Sequence, residues 1–285
     1  MDVLVGLLIV ALGSLGQSSS YVPINKIQSW SWESFWLVQG IFAWLVFPLL
    51  GTFLALPEGI GLMDLFQMEG SLKAIVYGML WGVGGLTFGL SMRYLGVALG
   101  QSIALGTCAG FGTLFPAILG GQDLLHGEGL ILLLGVCITL AGIAIIGYAG
   151  SLRARNMTEE EKQAAVKDFA LTKGLAVALL AGVMSACFNL GLEAGSPISE
   201  LVRSHGANEL FVLNPVILLV TTGGFLTNAI YCIYQNGRNH TGKEYFSVSA
   251  GVLWNNVLFC ALAGVLCIHS FSVWEWERAF LPILR

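Results

Sequence analysis

Eight stretches of this chain are each apolar for about the 20 residues that a helix rising about 1.5 Å per residue needs to cross a bilayer's hydrocarbon core. They run Val3 to Val22, Ser34 to Leu56, Leu72 to Met92, Val97 to Leu119, Leu130 to Ala149, Gly174 to Leu192, Phe211 to Tyr234 and Ser247 to Leu266. In hydrocarbon the backbone must satisfy its own hydrogen bonds, which a helix does within each segment. The sequence therefore predicts an all-α polytopic membrane protein of about eight transmembrane helices. Charged residues are 11% of the chain and hydrophobic ones 56%, against about 25% charged in a soluble domain. The chain begins Met1-Asp2, without the positive segment of a cleavable secretory signal, so the first run is expected to be a retained helix.

Basic residues stay in the cytoplasm during insertion, and their distribution sets orientation. Connections after spans one, three, five and seven carry Lys26; Arg93; Arg153, Arg155, Lys162, Lys167 and Lys173; and Arg238 and Lys243. Those after spans two, four and six carry only Lys73 and Arg203. The N-terminus is thus expected outside. Asn156-Met157-Thr158 and Asn239-His240-Thr241 match the glycosylation sequon but fall on the expected cytoplasmic side, and are read as chance matches. Ser151 to Lys173 is the longest polar segment and separates five spans (residues 1–150) from the three of residues 174–285. It reads as a cytoplasmic linker, with a capping box at Thr158 to Glu161 that predicts a short solvated helix. Gly6 through Ser20 and Ala178 through Asn189 share a faint pattern consistent with repeated halves.

The spans hold no metal or nucleophile constellation, and Gly82-Val83-Gly84-Gly85 lacks the strand and acidic residue of a dinucleotide site, so neither an enzyme nor a cofactor is expected. The net charge of −4 is spread over loops and offers no basic stripe for nucleic acid. Six cysteines lie in or beside apolar stretches without zinc or disulfide spacing, and read as small buried hydrophobes. Glycines at four-residue spacing, such as Gly78 with Gly82 and Gly106 with Gly110, predict close helix packing, static or sliding.

The spans do contain neutral hydrogen-bonding side chains. Gln17, Gln39, Gln101, Asn189, Asn214, Asn228, Asn255 and Asn256 stand out. An amide in hydrocarbon without a partner costs several kcal/mol, so each must face another helix, water or a solute. Singly, each is best read as a helix-to-helix bond; as a set, they fit a path for a neutral polyol. Gln101 and Asn189 are the preferred ligands of the first six spans. Two carboxylates lie near span ends. Glu193 is the better candidate for proton coupling, although a solvated helix end explains it too, and Glu33, beside Trp30, Trp32 and Trp36, reads as a solvated end at the membrane interface.

Several blocks also carry a resemblance. Ser29-Trp30-Ser31-Trp32-Glu33, the run from Trp81 to Gly96 (WGVGGLTFGLSMRYLG), Lys173-Gly174-Leu175, Asn214-Pro215 and Asn255-Asn256-Val257-Leu258 are similar to signature stretches of the L-rhamnose/proton symporters, in the drug/metabolite transporter superfamily. The resemblance implies ten helices in two five-helix repeats, and uptake of a 6-deoxyhexose with a proton across the bacterial inner membrane. It runs to about Leu266. Two further helices would then be expected, so the second repeat reads as incomplete, with Cys267 to Arg285 as a divergent tail. The alternatives are an exporter of small metabolites or drugs from the same superfamily, and an inactive transporter remnant. The sequence leaves open Na⁺ as coupling ion and a homodimer in the lipid bilayer.

A cysteine introduced at Glu160, in a background lacking the six native ones, should resist membrane-impermeant thiol reagents in intact cells. Ready labelling there would reverse the orientation.

Overall fold

The computed structural model describes residues 8, 11–13, 15, 16, 19–156, 170–209 and 211–280. Among them there is no strand, and seven helical segments are long and apolar enough to span a membrane. These are α1 (Trp32–Ala55), α2 (Ser71–Leu95), α3 (Val97–Leu119), α4 (Gly127–Asn156), α5 (Leu171–Ala194, extended by α6, Ser196–Ser204), α7 (Asn214–Asn239) and α8 (Ala250–Phe280). They match expected spans two to eight. Most of the first expected span, Gln17 within it, and the capping-box helix of the linker lie outside the described residues. Helix α8 continues past Leu266 to Phe280, through most of the segment read as a tail.

The described residues pack as two compact units: Met1–Val76 with Ala194–Arg285, and Tyr77–Glu193. The first is built on α1, α7 and α8. Glu33 at the start of α1 meets Asn239 at the end of α7, and Gly51 near the end of α1 meets Asn214 at the start of α7, so the two helices run antiparallel. Helix α8 runs parallel to α1, from Asn256 against Gln28 to Gly264 against Ala43. Asn256 is wholly buried; its Nδ2 donates to the Gln28 carbonyl at 2.8 Å and its Oδ1 accepts from the Gln28 N–H at 2.9 Å. It holds the strand of chain entering α1.

Helix α1 is interrupted by a π-turn over Phe42–Val46, where the Phe47 N–H reaches back five residues to the Phe42 carbonyl. Pro48 follows at once. A proline lacks the N–H and its ring collides with the carbonyl four residues earlier, which is Trp44 here; the wide turn opens that spacing.

The second unit packs α3 against α4 as an antiparallel hairpin, with Gly106 against Ile143 and Gly110 against Leu140. Helix α5 lies antiparallel to α2, Gly84 meeting Ser185 and Gly174 meeting Leu95, and Leu95, Leu99, Ala104, Ala178 and Ala181 form a buried cluster. One residue, Gly96, joins α2 to α3 with φ of +80°, a conformation only glycine takes without strain. The cysteine expectation holds for Cys187, Cys232 and Cys260, which are buried, whereas Cys137 is exposed.

At Gly182 a Cβ would lie 2.6 Å from the Ala104 carbonyl oxygen and would strike Thr107 as well. Gly182→Val should destabilise the protein by about 1–3 kcal/mol, seen as a lower Tm in detergent. An unchanged Tm would mean that α3 and α5 are not packed there.

Candidate functional site

A buried amide oxygen needs a donor, and in the first unit one has none. Gln39 is 6% exposed, on the turn of α1 just before the π-turn, and its Oε1 is buried without a hydrogen-bond partner among the described residues. Leaving such a group unsatisfied costs about 1–3 kcal/mol. The helix around it is aromatic. Gly40, having no Cβ, lets the Trp44 ring lie across the helix: a Cβ there would sit 3.0 Å from two ring carbons and 3.6 Å from Phe225. Trp44 meets Trp36 edge-on at 6.0 Å between centroids, and Trp36 stacks on Trp32 at 5.4 Å. The Trp36 Nε1–H donates to Asn228 Oδ1 at 3.2 Å, and Asn228 Nδ2 donates to the Gly224 carbonyl at 2.9 Å. An acceptor awaiting a donor among large apolar rings is suited to a solute with hydroxyl groups on a compact carbon frame.

The other amides divide by task. Asn214 Nδ2 donates to the Gly51 carbonyl at 3.2 Å while its own carbonyl accepts from Thr52 Oγ1 at 3.1 Å, so it ties α7 to α1. Asn255 Nδ2 donates to the Lys26 carbonyl at 2.9 Å and joins Asn256 in holding the entry to α1. In the second unit Asn189 Nδ2 makes a long bond of 3.4 Å to the Gly112 carbonyl, and Gln101 is exposed on α3. Asn228 is thus brought to the aromatic cluster of α1, the helix that also carries Gln39. Asn214 lies at the far end of α7 from the Asn239 tie. Gln17 lies outside the described residues.

Glu193 is exposed at the end of α5. The reading of Glu33 as a solvated helix end is corrected: it is 6% exposed, and its Oε1 accepts from Asn239 Nδ2 at 2.8 Å and Thr241 Oγ1 at 2.9 Å. The loop after α7 folds back over the start of α1 and covers it. Tyr245, in the short helix Glu244–Ser247, donates its hydroxyl to the Ser34 carbonyl at 3.2 Å. Burial pushes the Tyr245 hydroxyl above its usual range, so it remains a donor at neutral pH. Trp30 Nε1 donates to the Glu244 carbonyl at 3.2 Å, and the Ser31 N–H to Glu244 Oε2 at 2.7 Å. Asn239 and Thr241 belong to the triplet set aside as a chance sequon. The available signal was three hydrogen-bonding residues, Asn239, Thr241 and Asn236, crowded at a span end with an acid at another.

Apolar spanning helices, neutral buried amides and an aromatic cluster define a multi-pass membrane protein suited to transport. The family model described as L-rhamnose-proton symport protein (RhaT) matches residues 1–284, and the chain belongs to that family. The match extends beyond Leu266, where the motif resemblance ended. The L-rhamnose-proton symporters of Yersinia pestis (strain Pestoides F) and Yersinia pseudotuberculosis (serotype O:1b, strain IP 31758) are each 34% identical over 285 residues, covering 98% of this chain and 81% of theirs. The symporter of Yersinia pestis bv. Antiqua (strain Antiqua) is likewise 34% identical over the same span. No solved structure matches.

Proposed function

We propose that this chain imports L-rhamnose together with a proton across the bacterial inner membrane. What carries the reading is the family match along residues 1–284. The unfilled Gln39 acceptor supports a sugar ligand: a hydroxyl donates to Oε1, and Trp36 and Trp44 offer apolar surface to the C–H faces and methyl group of a deoxyhexose. Asn228 orients Trp36 from α7. Gln101 and Asn189 are also proposed to take part in sugar binding, on the ground that a neutral polyol calls for neutral amides.

The apolar run from Val3 to Val22 supplies an eighth span ahead of the seven described, with the N-terminus outside, a reading supported by the bias of Lys and Arg toward alternate connections. Residues 1–150 then form one five-helix repeat and residues 174–285 part of a second, joined by the cytoplasmic linker 151–173, as in a ten-helix transporter whose halves rock about a central site.

Purified protein in proteoliposomes should accumulate labelled L-rhamnose when the outside is made acidic, should lose that accumulation to a protonophore, and should keep it when K⁺ replaces Na⁺. No accumulation under the gradient would sink the reading; dependence on Na⁺ would change the ion. Gln39→Leu should weaken L-rhamnose binding by about 1–3 kcal/mol, or about 5- to 150-fold in Kd. Unchanged affinity, measured by tryptophan fluorescence or calorimetry, would remove Gln39 from the site.

A further inference from the structure

A hydroxyl has one proton to give, and the contacts around Glu33 ask for more than the local hydroxyls hold. Thr241 Oγ1 lies 2.9 Å from Glu33 Oε1 and also 2.9 Å from Asn236 Oδ1. Asn236 Oδ1 takes Ser34 Oγ at 3.0 Å, Ser34 Oγ lies 2.9 Å from Ser31 Oγ, and Ser31 Oγ lies 2.9 Å from Glu244 Oε2. The amide of Asn236 is held in this orientation because its Nδ2 donates to the Cys232 carbonyl at 3.1 Å, a group that can only accept. With both carboxylates ionised, three hydroxyl protons serve five oxygen-to-oxygen contacts, and two contacts go without. With a proton on Glu33, Glu33 donates to Thr241, the Thr241 proton is free for Asn236, and four of the five contacts hold one. The contacts accommodate a protonated Glu33.

The position fits as well. Glu33 is buried, and no cation pairs with it among the described residues; Arg238 in the last turn of α7 and Lys243 in the loop after it are exposed. The groups facing it are Asn239 and the Cys232 thiol from α7, and Thr241 from the loop after it. Glu244 and Tyr245 from the short helix, with Cys260 of α8 at the Phe35 carbonyl, complete its titratable surroundings, and His240 stands between its two donors. Ser29 and His240 both take φ of +56°, the only non-glycine residues to do so among the described ones, and they flank these partners. Left-handed backbone at such residues costs free energy and persists where the surroundings enforce it.

We propose that Glu33 carries the coupling proton and releases it toward the cytoplasm. Release leaves Glu33 a carboxylate that accepts from Asn239 Nδ2 and Thr241 Oγ1. Once ionised, Glu33 draws the Thr241 proton away from Asn236, so the loop after α7 registers the release. Gln39 stands six residues further along α1, about 9 Å of helix rise away, which puts proton and sugar on one rigid element.

This proposal rests on the reading of the chain as a proton symporter, and the test separates the two. In proteoliposomes, Glu33→Gln should lose pH-gradient-driven accumulation of L-rhamnose while retaining counterflow exchange, which requires no net proton release. Retained accumulation overturns the proposal, and so does loss of both activities in a variant with wild-type thermal stability. If Glu33→Gln does not insert, Glu33→Asp carries the test: accumulation should persist with the pH midpoint of exchange displaced, and an unchanged pH profile overturns the proposal. Failure of the wild type to accumulate L-rhamnose would instead sink the functional reading.

Discussion

The antiparallel packing of α1 on α7 is the contact on which the first unit depends. It is tied at one end by Glu33 with Asn239 and at the other by Thr52 and Gly51 with Asn214, and between these lies an apolar and aromatic seam. Apolar side chains gain little by leaving lipid for another helix, so polar ties fix which helices meet and in what register. Helix α8 is then added along α1 through Asn256 and the backbone of Gln28, a contact that fixes where the chain turns into the membrane. The aromatic cluster and the buried acid both sit on this frame, in positions set by register.

The amides illustrate how one residue type serves two ends. Asn214 and Asn256 have their bonding atoms matched to backbone groups, and replacing them would expose those groups to hydrocarbon. Gln39 is the opposite case: its oxygen is enclosed without a hydrogen-bond partner among the described residues. An unmet acceptor in a buried position is held at a cost.

Seven of the eight apolar stretches correspond to described spans, because length and hydropathy are properties of contiguous sequence. Which amides lock helices together was not legible, since that depends on side chains that meet over gaps as long as 229 residues, as for Asn255 with Lys26. Glu33 was misread for the same reason. Three neighbouring tryptophans are a fair mark of an interface, yet the loop that covers the acid lies more than two hundred residues away, in a triplet whose sequon pattern distracted from its hydrogen-bonding capacity. The π-turn had a local trace in Pro48, but proline alone does not tell a kink from a widened turn.

That turn has a consequence for the phase of α1. A π-turn lodges one additional residue in the helix, and each residue of an α-helix advances the side chains by about 100°. The face carrying Glu33, Trp36 and Gln39 and the face carrying Gly51 and Thr52 therefore belong to two helical screws that are out of step, and Phe42–Val46 is the splice that reconciles them. Because the extra residue can be handed along a helix by exchanging hydrogen bonds one at a time, the splice behaves like a dislocation in a crystal. Its migration toward the N-terminus would rotate the segment it passes through against α7 while leaving both ends anchored. In such a helix, turning the side chains of the segment passed demands no rigid-body movement of the whole span.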